Sequence, residues 1–161
     1  MISANNGSIS NSFVYDSMNR LTGSGVKWKT SGINKQVFYS YDSGGLVTNV
    51  VYPGSKTLHY AYDTDGRLIS ITDWNSHTFT FTHDAAGRLA SLVYPNGVVG
   101  TNTYDAAHRL ASWKYSKSGS TLTGRTITRD AAGIKTGESV SAGIFPNPSM
   151  QRRASNTFDI A

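Results

Sequence analysis

Tyr62-Asp63-Thr64-Asp65-Gly66-Arg67-Leu68 and His83-Asp84-Ala85-Ala86-Gly87-Arg88-Leu89 stand 21 residues apart and share one pattern, an aromatic ring, Asp, two variable residues, Gly, Arg and Leu. Working outward, Tyr41-Asp42 with Gly45 and Tyr104-Asp105 with Arg109-Leu110 keep the same 21-residue step. Tyr15-Asp16 with Arg20-Leu21 and Arg129-Asp130 with Gly133 extend the series at wider spacing, and Phe158-Asp159 begins one more copy. A fixed period means that one supersecondary unit is stacked repeatedly and that neighbouring copies complete its core.

The pattern carries its own turn chemistry. Asp at the first position of a four-residue turn accepts a backbone N–H, and Gly at the fourth takes a left-handed conformation, which together make a three-residue β-hairpin loop with a bulge. Two copies replace Gly by Asn19 and His108. Both types tolerate positive φ, so the exceptions fit the same turn. Across such a bulge the Tyr faces the Leu six residues on, and the Arg lies beside its own Asp.

A second set of turns joins successive units at Pro53-Gly54-Ser55-Lys56, Trp74-Asn75-Ser76-His77 and Pro95-Asn96-Gly97-Val98. Asn-Gly is the pair favoured in two-residue type I′ hairpins. Pairing outward from Asn96-Gly97 sets Leu89 opposite Tyr104, and the same register sets Val47 opposite Tyr62. One face then carries an aromatic and aliphatic row that includes Phe13, Tyr39, Tyr60 and Phe81. The other carries Ser40, Thr80, Thr82 and Thr103, interrupted by Val50, Ile71, Leu92 and Trp113. Such alternation is that of half-buried strands.

Thr, Ser, Tyr, Val and Gly are plentiful, and no stretch sustains helical apolar spacing. The expected fold is all-β, an antiparallel meander of hairpins in a curved, rolled sheet. Twelve strands fall between residues 9 and 140, with 1–8 a flexible N-terminal segment. Residues 141–155 read as a Pro-containing irregular connection and 156–161 as the start of a truncated further repeat. Wider intervals between copies place longer loops at Lys29–Lys35 and Ser116–Ser120. Tyr62→Ala or Leu89→Ala is expected to cost about 2–5 kcal/mol, as large-to-small core changes do.

The 161 residues suffice for one domain and contain no cysteine, which rules out disulfides and thiolate metal sites within them. No apolar run approaches the ~20 residues of a membrane helix, and no basic-then-apolar export signal opens the chain. A net charge of +5 raises nucleic acid as a partner. The basic residues are scattered, and several hold repeat positions, so no nucleic-acid partner is expected.

Catalytic, metal and cofactor roles find no pattern of support. His83 stands at the Tyr position and His108 at the Gly position, and neither ligand spacing nor an orienting acid accompanies His59 or His77. The repeated Asp residues read as turn caps rather than a paired-carboxylate site. No nucleophile elbow is present. The chain is therefore expected not to be an enzyme. Candidate ligand-binding residues are aromatics and their polar neighbours near the inter-repeat turns, Trp74, Asn75, His77, Tyr94, Trp113 and Tyr115, with a glycan or cell-surface ligand as the class they suit.

The aromatic-Asp-x-x-Gly-Arg-Leu copies, with Pro-Gly or Asn-Gly turns between them, resemble the YD-repeat (RHS-repeat) family from about Tyr15 to Ala161. Bacterial polymorphic toxins, shell components of insecticidal toxin complexes and animal teneurins carry such repeats. The resemblance implies β-ribbons that spiral into a hollow cage, in the toxins enclosing a toxic domain. It implies a structural segment of a larger secreted or surface protein, whose partners are the remaining repeats. Open strand edges add an expectation of edge-to-edge self-association. The Asp-Pro-x-Gly segment that accompanies the family's self-cleaving element has no counterpart here.

Overall fold

The computed structural model describes residues 2–5 and 7–143, and among them it contains thirteen strands and no helix. They group into two compact units, Met1–Thr78 and Phe79–Ala161. In the first unit β1 (Ile2–Asn5), β2 (Ile9–Tyr15), β3 (Leu21–Trp28), β4 (Asn34–Tyr41), β5 (Val47–Tyr52), β6 (Lys56–Tyr62) and β7 (Leu68–Thr72) pair in chain order, each antiparallel to the next. In the second, β8 (Thr78–His83), β9 (Leu89–Val93), β10 (Val98–Tyr104), β11 (Leu110–Lys117), β12 (Ser120–Arg129) and β13 (Lys135–Ala142) do the same.

The all-β antiparallel meander is thus the observed fold. β1 is a departure: the stretch expected as a flexible N-terminal segment contributes a strand that pairs with β2, Ile2 standing opposite Phe13. The irregular connection is preceded by β13, which reaches Ala142. Residues 144–155 and the partial repeat at 156–161 lie outside the described residues.

Each repeat closes through one turn geometry. In the copy that starts at Tyr62, the Asp63 N–H donates to the Arg67 carbonyl at 2.9 Å and the Gly66 N–H to the Asp63 carbonyl at 3.0 Å. Gly66 sits at φ +76°, and its counterparts Asn19 and His108 sit at +60° and +63°. The ladder shifts by one residue just after this turn, so that Tyr62 opposes Leu68 while Ala61 opposes Ser70. Ile69 is the extra residue of the bulge.

That bulge overturns part of the face assignment. Because Ile69 is bypassed, side-chain parity flips along the return strand. Ile71 stands opposite Tyr60, Val50 opposite Tyr39, Leu92 opposite Phe81 and Trp113 opposite Asn102. Val50, Ile71, Leu92 and Trp113 therefore share the face of the tyrosines instead of interrupting the Thr/Ser face. The latter is hydroxyl-rich, with Thr82 bonded to Ser91 and Thr103 to Ser112, both at 2.7 Å.

The turn at Asn96-Gly97 is also not the two-residue type I′ expected. Tyr94 and Val98 bracket a three-residue loop, with the Tyr94 N–H donating to Val98 O and the Gly97 N–H to Tyr94 O. Of the three, Gly97 alone takes positive φ, at +80°. Pro53-Gly54-Ser55 likewise fills a three-residue gap between Tyr52 and Lys56. The expected pairings of Leu89 with Tyr104 and of Val47 with Tyr62 are each off by one residue as a result.

The loop expected at Ser116–Ser120 is instead a tight turn. Lys117 pairs with Ser120, and Ser118 and Gly119 both have positive φ, at +48° and +80°, as type I′ geometry requires. The extra residues of this interval lengthen β11 and β12. Of the loop expected at Lys29–Lys35, residues 29–33 are a true loop, closed by the Trp28 N–H on the Ile33 carbonyl, while Asn34 and Lys35 already pair in β4.

Within each unit the strands form one sheet with little buried apolar core. Val50, held between Tyr39 and Leu58 on the tyrosine face, is 7 % exposed and is the one buried hydrophobic among the described residues. The remaining face is half-buried by its own lateral contacts. No described helix is long and apolar enough to cross a membrane.

Candidate functional site

Every intact copy of the repeat motif forms one polar device. Asp63 Oδ1 accepts the N–H groups of Asp65 and Arg67 at 3.0 and 2.9 Å, and Oδ2 accepts Arg67 Nε at 2.7 Å. Asp16 with Arg20, Asp84 with Arg88 and Asp105 with Arg109 repeat it at 2.7–2.8 Å. The Arg20 and Arg67 backbone N–H groups hold the Asp16 and Asp63 carboxyls below the ordinary 3.8, with the Arg side chains adding to the effect. For Asp84 the Arg88 side chain is the leading cause, and for Asp105 the Arg109 N–H. At Asp42 the Leu46 N–H donates to the carboxylate at 2.9 Å, and at Asp130 the Ile134 N–H does so at 2.8 Å.

Arg also reaches the next copy. Arg20 stacks 4.7 Å above the Tyr41 ring and donates to the Asp42 carbonyl at 3.1 Å. Arg88 lies 4.4 Å above the Tyr104 ring, with its Nη1 3.2 Å from His108 Nδ1. The aromatic returns the tie. Tyr41, Tyr62 and Tyr104 each donate a hydroxyl hydrogen bond, at 2.7–2.9 Å, to the carbonyl of Leu21, Val47 or Leu89 in the preceding copy. Partial burial pushes the Tyr62 hydroxyl up from 10.0, so it remains a donor at neutral pH.

Arg129 occupies the Tyr position of its copy and still makes the bond, donating Nη1 to the Leu110 carbonyl at 2.9 Å. Sequence reasoning missed this tie. It depends on cross-copy register, which no local pattern reveals. A second omission was legible: Asp73 caps the turn at Trp74-Asn75-Ser76-His77, accepting the Asn75 and His77 N–H groups, and Ser76 takes φ +64°. The signal was Asp at the first turn position, as in the main motif.

The six candidate ligand-binding residues fall into two places. Trp74, Asn75 and His77 share the turn capped by Asp73. There the His77 ring is bonded to Asp73 at 3.1 Å, and Lys56 Nζ sits 5.1 Å from the Trp74 ring centre. Tyr94, Trp113 and Tyr115 form a cluster on the tyrosine face of the second unit, which corrects the expected placement of Trp113 on the opposite face. Ring centres of Tyr94 and Tyr115 are 6.2 Å apart, and those of Trp113 and Tyr115 5.7 Å. Phe79 joins edge-on to Tyr94 at 5.9 Å.

Beside this cluster is a shallow depression lined by Leu89, Leu92, Gly100, Asn102, Trp113 and Tyr115, among others. The Tyr115 ring lies over Gly100, where a Cβ would stand 2.9 Å from it. Among the described residues no group of three His, Cys, Asp or Glu side chains is placed to hold a metal ion. His59 is bonded to Asn49 at 2.6 Å.

These features define a class: a repeat protein of antiparallel hairpins, in which the copies at Tyr41, Tyr62 and Tyr104 are tied to the ones before them by a hydroxyl-to-carbonyl bond and the copy at Arg129 by a guanidinium-to-carbonyl bond. Residues 41–78 and 62–99 each match the RHS Repeat family model, so this stretch of the chain carries RHS repeats. Among solved structures, the crystal structure of TcdB2-TccC3-Cdc42 matches with a TM-score of 0.68 at 16 % identity, over 89 % of this chain and 8 % of that one. TcdB2-TccC3-TEV matches with a TM-score of 0.69 at 14 % identity, over 83 % and 8 %. At these identities the likeness is one of fold. The chain spans about a twelfth of the length of the chains it matches. No match is found among curated protein sequences.

Proposed function

We propose that this chain is a non-enzymatic wall segment: its repeats form part of a shell that encloses or displays another portion of a larger secreted or surface protein. The observation that carries this reading is the asymmetry of the sheet. The repeated motif residues are spent on turn closure and, at Arg20, Arg88, Tyr41, Tyr62, Tyr104 and Arg129, on ties between copies, leaving one broad aromatic and aliphatic face and one hydroxyl face. An uncovered apolar face of this extent marks a surface that something else covers. The fold-level likeness to small parts of the very long TcdB2-TccC3 chains supports the same reading.

Because these 161 residues contain no cysteine, thiols introduced among them permit a direct test, with any cysteine elsewhere in the natural product replaced by serine. Single cysteines at Ile71 or Leu92 on the tyrosine face, and at Ala61 or Thr82 on the hydroxyl face, are labelled with a thiol reagent in the natural gene product and in the 161-residue chain. A wall predicts that the natural product protects Ile71→Cys and Leu92→Cys beyond their protection in the 161-residue chain. Equal labelling rates in the two contexts would count against enclosure.

A further inference from the structure

The aromatic cluster of the second unit lies close to the point where the chain leaves β13. Tyr115 stands opposite Thr123, and Thr123 opposite Ala142, so the end of β13 is two strands away from the Tyr115 ring. The Gly143 N–H donates to the Leu122 carbonyl at 2.8 Å, which fixes the place from which residue 144 departs. Around that place the tyrosine face keeps apolar surface in solvent. Val140 pairs with Arg125, the residue opposite Trp113, and is 53 % exposed. A shallow depression bordered by Gly100, Trp113 and Tyr115 continues the same surface.

The next five residues are Ile144, Phe145, Pro146, Asn147 and Pro148, four of them apolar. Pro146 and Pro148 lack the N–H that a further inner strand would need, and Pro146 biases Phe145 toward extended backbone. Two strand spacings amount to about 10 Å. Five extended residues span up to about 17 Å, so the segment is long enough to turn back and reach the cluster. Proline-containing extended segments dock on aromatic-lined grooves because their backbone is already ordered. A tether of a few residues holds such a segment near its groove at roughly millimolar effective concentration, well above that of a second copy in dilute solution. We propose that residues 144–148 fold back over the tyrosine face and pack Phe145 and Pro146 against Tyr115 and Trp113, so that the chain covers this part of its own apolar face. The assignment concerns the 161 residues by themselves and stands independently of the wall reading.

Nuclear magnetic resonance of the unaltered 161-residue chain should show Overhauser contacts from the Trp113 indole or the Tyr115 ring to Phe145 or Pro146. Trp28→Phe with Trp74→Phe leaves Trp113 as the only tryptophan, so that fluorescence reports on it alone. In that background Phe145→Ser with Pro146→Ser should red-shift the Trp113 emission and raise its quenching by acrylamide. Arg152→Ser with Arg153→Ser, farther along the same segment, should change neither. Circular dichroism checks the sheet, and if the Phe145 and Pro146 variant does not fold, the Overhauser contacts of the unaltered chain decide. Absence of those contacts, or emission and quenching untouched by the Phe145 and Pro146 changes, would overturn the assignment. So would equal changes in the Arg152 and Arg153 variant, or protection of Trp113 that rises with protein concentration, the mark of a second copy as the cover.

Discussion

Asp63, Arg67 and Tyr62 divide the labour of a repeat, and their legibility in the sequence differs for a physical reason. The Asp acts on N–H groups two and four residues away, so spacing alone exposed its role. The Tyr hydroxyl acts on a carbonyl 15 residues back. Its partner was hidden until the register was known, which is why Arg129 looked like a lost Tyr when it is a substitute donor. Tyr62→Phe should destabilise by about 0.5–1.5 kcal/mol in urea denaturation, the worth of one hydrogen bond. An unchanged midpoint would show that the tie is idle. The carboxylates yield a pH prediction. Asp16, Asp63, Asp84 and Asp105 are held below 3.8 in the fold, so their contribution is complete above that value and fades as pH falls through the lowered folded values. The melting temperature should drop steadily on acidification below about pH 4, the ordinary aspartate range, and Asp63→Asn should shallow the drop. A flat profile would remove the carboxylates from the account.

At the scale of the element, the bulge is the feature that matters. The motif foretells it, but its consequence, a parity flip on the return strand, depends on the ladder and not on local alternation, which sets Val50, Ile71, Leu92 and Trp113 on the wrong face. The Asn96-Gly97 turn misled for a related reason: Asn-Gly suits both a two-residue turn and the last two positions of a three-residue loop, and flanking register decides between them. Gly66 tests the bulge itself. Gly66→Val forces a β-branched side chain to φ +76°, 3.5 Å from Leu46 Cδ1, and should cost about 1–2 kcal/mol or more. Gly66→Asn should cost less, because Asn19 already holds the equivalent position. Equal stabilities for the two variants would place the strain elsewhere.

For the whole molecule, the all-β class and the repeat architecture were legible because period and alternation are properties of every copy. The depth of the core was not. The sequence suggests core-type losses along the aromatic row, whereas Val50 is the one buried hydrophobic among the described residues. Half-buried side chains return roughly half the free energy of full burial, so Tyr62→Ala or Leu89→Ala should cost nearer about 1–2 kcal/mol by denaturant titration than the core-type loss expected. A loss above about 4 kcal/mol, typical of deep cores, would mean that another layer covers the face. The central claim, that these repeats are wall, is tested most directly by electron cryomicroscopy of the natural gene product. The account predicts residues 9–140 as consecutive strands of a continuous shell with the Tyr60–Phe81 face turned toward enclosed density. A free-standing module with both faces in solvent would contradict it.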